Sequence, residues 1–160
     1  MMKRDDAWLH QLLDDTWDCY FNDVPQDNIV RIKFGRKART RLGSISLDRN
    51  EPDVSVITMN GHFRDPAIPE FVVQATLVHE LTHYAQGFNS PHQQAQAHPH
   101  AGGVMKREFT ERGALELYIR QKRWLKTNWR NYILQNLPSK VTKSNVVRKT
   151  TKIPNPFWFN

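Results

Sequence analysis

The stretch His79-Glu80-Leu81-Thr82-His83 constrains this chain more than any other part of its sequence. Two histidines four positions apart lie on one side of an α-helix, about 40° apart around its axis. Their imidazoles can therefore bind one zinc ion, and the glutamate that follows the first histidine can lean over the open side of the metal. The sequence thus predicts a zinc site on a helix, with His79 and His83 as ligands and Glu80 as the catalytic base.

A third protein ligand is expected, because a catalytic zinc usually takes three and leaves one position for water. The polar loop 88–103 offers His92, His98 and His100. His100 is the preferred ligand, because small residues follow it and let the backbone turn tightly toward the metal. His98 is the second choice, and His92 is expected to stay outside the site.

Two glutamates on the next predicted helix are alternatives to a loop histidine. Glu108 and Glu111 share a helical face with apolar residues, so each carboxylate needs a partner. That partner is a zinc ion, the ring N–H of a ligand histidine, or an arginine such as Arg107 or Arg112. The sequence leaves these three interpretations open.

The hydrophobic pattern predicts an α+β fold of one domain, residues 1–137, followed by a basic tail, residues 138–160. The N-terminal helix is expected at 5–21. Alternating apolar residues predict a small three-stranded meander, with strands at 28–35, 42–47 and 54–60. The zinc helix is expected from Pro69 to Gln86, and a second long helical stretch from 104 to 136, with Gly113 as an interruption.

Charge is distributed unevenly along the chain, whose net charge is +7. The last acidic residue is Glu116, and ten of the 23 lysines and arginines follow it. Residues 1–116 hold 13 basic and 16 acidic residues, so the positive excess lies in the last quarter. This asymmetry favours a polyanionic partner such as DNA.

The single cysteine, Cys19, excludes a disulfide framework and a zinc ribbon, and it favours a reducing, cytoplasmic location. The N-terminal segment has no apolar core typical of a secretion signal, and no stretch is apolar enough to span a membrane. The sequence does not predict an oligomeric state.

Several stretches together resemble the SprT-like metallopeptidase domain, a group that includes the Spartan proteases. They are "RLGSISL" (41–47), "VITMN" (56–60), "IPEFVVQATLVHELTHYAQG" (68–87) and "PHAGG" (99–103), spread over roughly residues 29–120. The resemblance implies a zincin-like fold, ligands His79, His83 and His100, and catalytic base Glu80. Where the family has glycine after the third histidine, this chain has Ala101, and it lacks the zinc ribbon of some members.

The chain is therefore expected to be a zinc metalloendopeptidase that acts on proteins or peptides, including DNA-associated ones. Two alternatives remain open. One is a nucleic-acid-binding module in which zinc only stabilises the fold. The other is a gluzincin-type peptidase, in which a glutamate of the second helix is the third ligand. His62 and Tyr84 are weak candidates for stabilising the oxyanion.

Overall fold

The computed structural model describes residues 3–94, 100 and 103–136. The described residues form five α-helices, three strands, a short 3₁₀ turn and a π-helical segment. In chain order these are α1 (Asp6–Tyr20), β1 (Ile29–Phe34), β2 (Gly43–Leu47), β3 (Val54–Met59), the 3₁₀ turn (Gly61–Arg64), α2 (Glu70–Ala85), α3 (Val104–Glu111), α4 (Leu115–Trp124), the π segment (Leu125–Trp129) and α5 (Arg130–Asn136).

The α+β prediction is confirmed, and the predicted helices and strands are found near their expected positions. Asp5 begins α1, where its side chain accepts a hydrogen bond from the backbone N–H of Trp8 at 2.8 Å. The interruption expected at Gly113 is also present, because this glycine has a φ of 75° between α3 and α4. That the fold is zincin-like stays a prediction, and the basic tail lies outside the described residues.

The predicted meander is wrong, because the strand order is β1-β3-β2. β3 lies in the centre, parallel to β1 and antiparallel to β2. Five of its six residues are buried, as expected for a strand covered on both faces. Eight residues separate β1 from β2. This connection is long enough to cross the position of β3, so that β2 lies on the opposite side of β3 from β1.

Helix α2 lies at the centre of the molecule and contacts α1, α3, α4, β2 and β3. Eleven of its 16 residues are buried, so it is covered on most sides rather than along a single stripe. The apolar residues of α2 meet Ile57 and Met59 of β3 in the main core. This burial fixes the backbone on which His79, Glu80 and His83 are carried.

The helical stretch after residue 103 closes the core from the other side. Gln121 of α4 donates hydrogen bonds at 2.9 Å to the carbonyl of Val72 and the hydroxyl of Thr76, both on α2. Trp129 is fully buried, as expected from its position in the helical pattern, and Tyr132 is half-buried beside it.

No helix among the described residues is long and apolar enough to cross a membrane.

Candidate metal centre

The site begins with the second half of α2. Its histidines follow one another by a single turn, and His79 is buried while His83 is half-buried. His100 comes from the segment between α2 and α3 and is exposed. The structure brings these three predicted ligands together, with their candidate ligand atoms all within 4.8 Å of one another.

The distances between ring nitrogens fit a shared cation. The Nε2 atom of His83 lies 3.1 Å from Nε2 of His79 and 2.9 Å from Nε2 of His100. Tetrahedral zinc with Zn–N bonds of about 2.0–2.1 Å separates its nitrogen ligands by roughly 3.3 Å. The two measured separations are within about half an ångström of that value.

Hydrogen bonds between the rings cannot satisfy the three Nε2 atoms as well as a bound cation would. A neutral imidazole nitrogen either donates one hydrogen bond or accepts one. Nε2 of His83 faces two other Nε2 atoms, so it can pair well with only one of them. A cation that accepts a lone pair from each ring removes this conflict, which makes the donor set suitable for zinc.

The surroundings lower the pKa of all three rings, which favours the neutral form that binds a metal. Desolvation, together with the neighbouring His83 and His100, holds the pKa of His79 well below its ordinary value. Desolvation and the nearby His100 lower the pKa of His83 to about 4. Desolvation also lowers the pKa of His100.

Glu80 lies beside these rings and is almost fully buried, with an exposed fraction of 2%. Burial raises the pKa of its carboxyl to about 8, and the charge of Arg41 opposes this rise. The carboxyl makes no hydrogen bond with any other described residue. Added positive charge in the site would favour its ionised form.

Gly43, the first residue of β2, provides the space for this carboxyl. A Cβ atom at that position would lie 2.9 Å from the Cγ2 of Thr76 and 3.1 Å from the Oε1 of Glu80. Any side chain would therefore have to displace α2 residues at the site. The glycine couples the start of β2 to the position of Glu80.

A cleft of about 480 Å³ opens above the site. Glu80 and His83 form one wall, and residues 43–46 of β2 form another. Phe88 and Asn89 close one end, while Arg41 stands at the start of β2. The cleft therefore lies between the candidate metal ligands and the edge strand of the sheet.

The other predicted ligands lie elsewhere or are not described. His98 lies outside the described residues. His92 Nε2 contacts the carbonyl oxygen of Pro25 at 2.9 Å, and its ring packs against Tyr84. As predicted, His92 is not part of the histidine group.

Glu108 and Glu111 do not join the histidine group found among the described residues. They line a separate cavity of about 300 Å³ with Cys19 and Asp23. A carboxylate oxygen of Glu108 lies 3.8 Å from Nε of Arg112, the arginine pairing considered from the sequence. This geometry favours the loop histidine over a glutamate as third ligand.

The two candidates for oxyanion stabilisation do not line the cleft. His62 is fully buried and packs edge-on against the rings of Trp129 and Tyr132. Tyr84 is also buried, and its hydroxyl donates to Oδ1 of Asn28 at 2.7 Å. Both side chains therefore pack in the protein interior, away from the cleft.

Sequence reasoning missed the contribution of Arg41, Gly43 and Ser44 to the cleft. The segment "RKARTR" stood out as a basic loop, and "RLG" as part of the resemblance, but neither pattern indicates which element faces α2. Only the placement of β2 beside α2 brings these residues to the site.

Comparison with known proteins gave no match: no family model, no curated protein and no solved structure is similar to this chain.

Proposed function

We propose that this chain is a zinc-dependent endopeptidase of the SprT-like, zincin type. The observation that carries the proposal is the convergence of the His79, His83 and His100 ring nitrogens beside the buried carboxyl of Glu80. Zinc held by these three rings would polarise a substrate carbonyl and make a water molecule more acidic.

The role of Glu80 is to move a proton. Its carboxylate would accept a proton from the attacking water and deliver it to the nitrogen of the departing amine. Burial places the carboxyl at the site, and the positive charge of a bound zinc ion would favour the carboxylate form that accepts the proton. Gly43 keeps the carboxyl at the floor of the cleft.

The position of β2 supports a peptide as the substrate. Within the described residues, β2 pairs with no strand other than β3, and residues 43–46 of β2 line the cleft. An extended peptide can add to a free strand edge through backbone hydrogen bonds. A substrate bound in this way would run past Glu80 and His83.

The test is Glu80→Gln, which keeps the size of the side chain and removes the proton acceptor. We expect the variant to retain zinc and to lose at least about 100-fold in the rate of hydrolysis of denatured casein. Glu70→Gln is the matched control, because it makes the same change at an exposed position in the first turn of α2. Cleavage by Glu80→Gln at the wild-type rate would refute the mechanism.

A module in which zinc only stabilises the fold is the competing function, and chelation separates the two. A structural metal is lost together with the fold. Removal of a catalytic metal abolishes activity, while the circular dichroism spectrum stays largely unchanged. The second outcome is expected, because α2 is anchored on most sides by the core.

Contact with DNA is a second proposal, favoured by the helices after Glu116. Arg120, Arg123, Lys126 and Arg130 are exposed on α4, the π segment and α5. None of them forms a salt bridge with a described residue. We expect weak binding to DNA, with an affinity that falls as salt is added and does not depend on sequence. Deletion of residues 139–160 should lower this affinity without loss of zinc. Absence of binding at low salt would refute it.

A further inference from the structure

The segment between β1 and β2 carries a concentration of positive charge that the proposed reaction does not use. We call residues 36–41 the basic loop. Its four cationic side chains, Arg36, Lys37, Arg39 and Arg41, are all exposed. No salt bridge within the described residues involves any of them.

The backbone of the basic loop is held firmly despite this exposure. The amide of Asn60 donates hydrogen bonds to the carbonyls of Ala38 at 2.9 Å and Arg41 at 2.7 Å. The indole of Trp129 donates to the carbonyl of Arg39 at 2.7 Å. Groups from other elements thus fix the loop, so its charges are presented without an ordering cost for the backbone.

A cavity of about 370 Å³ opens under the basic loop. Arg36 and Arg41 line it together with the polar side chains of Ser44 and Asn60. None of the described residues that line it is acidic. The positive charge of its two arginines therefore favours the binding of an anion.

This cavity adjoins the cleft above the metal centre. Arg41, Gly43 and Ser44 line both. They lie at the beginning of β2, whose later residues continue along the cleft past Glu80 and His83. A peptide that follows β2 would therefore place one of its side chains at the cavity when another part of it reaches the metal centre.

We propose that the cavity is a specificity subsite that binds an aspartate or glutamate side chain of the substrate, with Arg41 and Arg36 as its ligands. The proposal rests on the peptidase function proposed above. Guanidinium groups bind carboxylates through paired, charge-assisted hydrogen bonds, and Ser44 supplies a further donor. The enzyme would then cleave at a fixed distance from an acidic residue.

An acidic peptide fits this cavity better than a nucleic acid does. Non-specific nucleic-acid binding uses a groove that follows the backbone and aromatic rings that stack on bases. No aromatic side chain of the described residues lines the cavity, and it adjoins a strand suited to an extended peptide. Binding of an oligonucleotide at the same residues is the competing outcome.

The first experiment measures binding, so that its result does not depend on catalysis. Fluorescently labelled peptides that differ only in a central Glu, Gln or Lys are titrated with zinc-loaded Glu80→Gln protein. The Glu peptide should bind about 5-fold tighter than the Gln peptide, as expected for one partly exposed charge pair. Adding Arg41→Gln or Arg36→Gln should remove most of this preference.

Arg49→Gln is the matched control. Arg49 is an exposed arginine in the turn between β2 and β3, and it lines neither the cavity nor the cleft. The change removes the same charge, so a general loss of positive potential would affect this variant equally. Its preference for the Glu peptide should match that of the parent protein.

Equal binding of the Glu and Gln peptides would overturn the proposal, and so would a preference that survives in both Arg41→Gln and Arg36→Gln. Affinity for a single-stranded oligonucleotide that falls in these variants, without any preference among the peptides, would assign the cavity to nucleic acid instead.

The second experiment uses the wild-type enzyme on a peptide library derived from a digested proteome. Mass spectrometry should find Asp and Glu enriched at one fixed position relative to the cleaved bond, and Arg41→Gln should reduce the enrichment. Cleavage without enrichment overturns the subsite and leaves the peptidase function standing. Absence of all cleavage, together with the expected preference in binding, refutes the peptidase function and leaves an acidic-peptide site.

Discussion

Two regions of this protein bury histidine, and they surround it with opposite chemistry. At the candidate metal centre, the Nε2 atoms of His79, His83 and His100 point toward one another. In the 3₁₀ turn, His62 packs edge-on against two aromatic rings, with its ring centroid 6.0 Å from that of Trp129 and 5.5 Å from that of Tyr132. Neither of its ring nitrogens has a hydrogen-bond partner among the described residues.

Burial lowers the pKa in both regions, so the direction of the shift does not distinguish a ligand from a packing residue. The arrangement of the nitrogen lone pairs does. Three rings that converge on one point create a site for a cation, whereas the ring of His62 packs edge-on against Trp129 and Tyr132. A buried histidine indicates a metal site only when other ligand atoms face it.

Removing a ligand ring should produce the largest effect and separates the two regions directly. His79→Ala, His83→Ala and His100→Ala should each weaken zinc binding by more than about 100-fold, since even the loss of an outer hydrogen-bond partner costs 10- to 100-fold. Zinc content after dialysis, measured by atomic emission, tests this. His92→Ala should keep full zinc content, because that ring contacts Pro25 instead.

One result would assign the third ligand differently. If His100→Ala keeps its zinc while Glu108→Ala or Glu111→Ala loses it, a glutamate completes the site. The ion contact between Glu108 and Arg112 argues against that result.

Replacing His62 should have a smaller effect of the opposite kind. His62→Phe removes two buried polar nitrogens that have no hydrogen-bond partner among the described residues, and it keeps an aromatic ring against Trp129 and Tyr132. We expect zinc content to be unchanged and the free energy of unfolding to rise by about 1 kcal/mol at pH 7. Urea denaturation measures the difference, and a loss of zinc would contradict the assignment of His62 to packing.

The pH dependence of that difference sharpens the comparison. Burial and the charge of Lys37 lower the pKa of His62 in the folded protein, while Asp65 acts in the opposite direction. The unfolded chain therefore takes up a proton at His62 before the folded chain does, and wild-type stability is lost as pH falls below about 6.5. The advantage of His62→Phe should grow below that pH, and an advantage that shrinks there would show the sign to be wrong.

The parts of this structure that the sequence predicts are those set by local spacing. His79 and His83 are one turn apart on any helix, and Pro69, Glu70 and Gly87 indicate where that helix begins and ends. The small residues after His100 single it out among the loop histidines. Each of these inferences needs only neighbouring positions.

The parts that escaped prediction depend on distant partners. The alternating pattern of β2 does not show whether it pairs with β1 or β3, since either choice keeps the same residues on the core face. The proximity of Arg41 to Glu80 depends on that choice. His62 is polar in the sequence, and only the rings of Trp129 and Tyr132, contributed by later residues, bury it.

The π segment Leu125–Trp129 determines how this part of the protein tolerates a change in length. Buried residues recur at intervals of four through this region: Leu117, Gln121, Leu125, Trp129 and Ile133. Four residues exceed an α-helical turn by about 40°, so four such steps would carry the stripe nearly halfway around a regular helix. The wider π turn takes up one extra residue and keeps Trp129 and Ile133 facing the core.

Deleting the exposed Lys126 should convert the segment to regular α-helix with little rotation of α5. We expect a fall in melting temperature of only a few degrees.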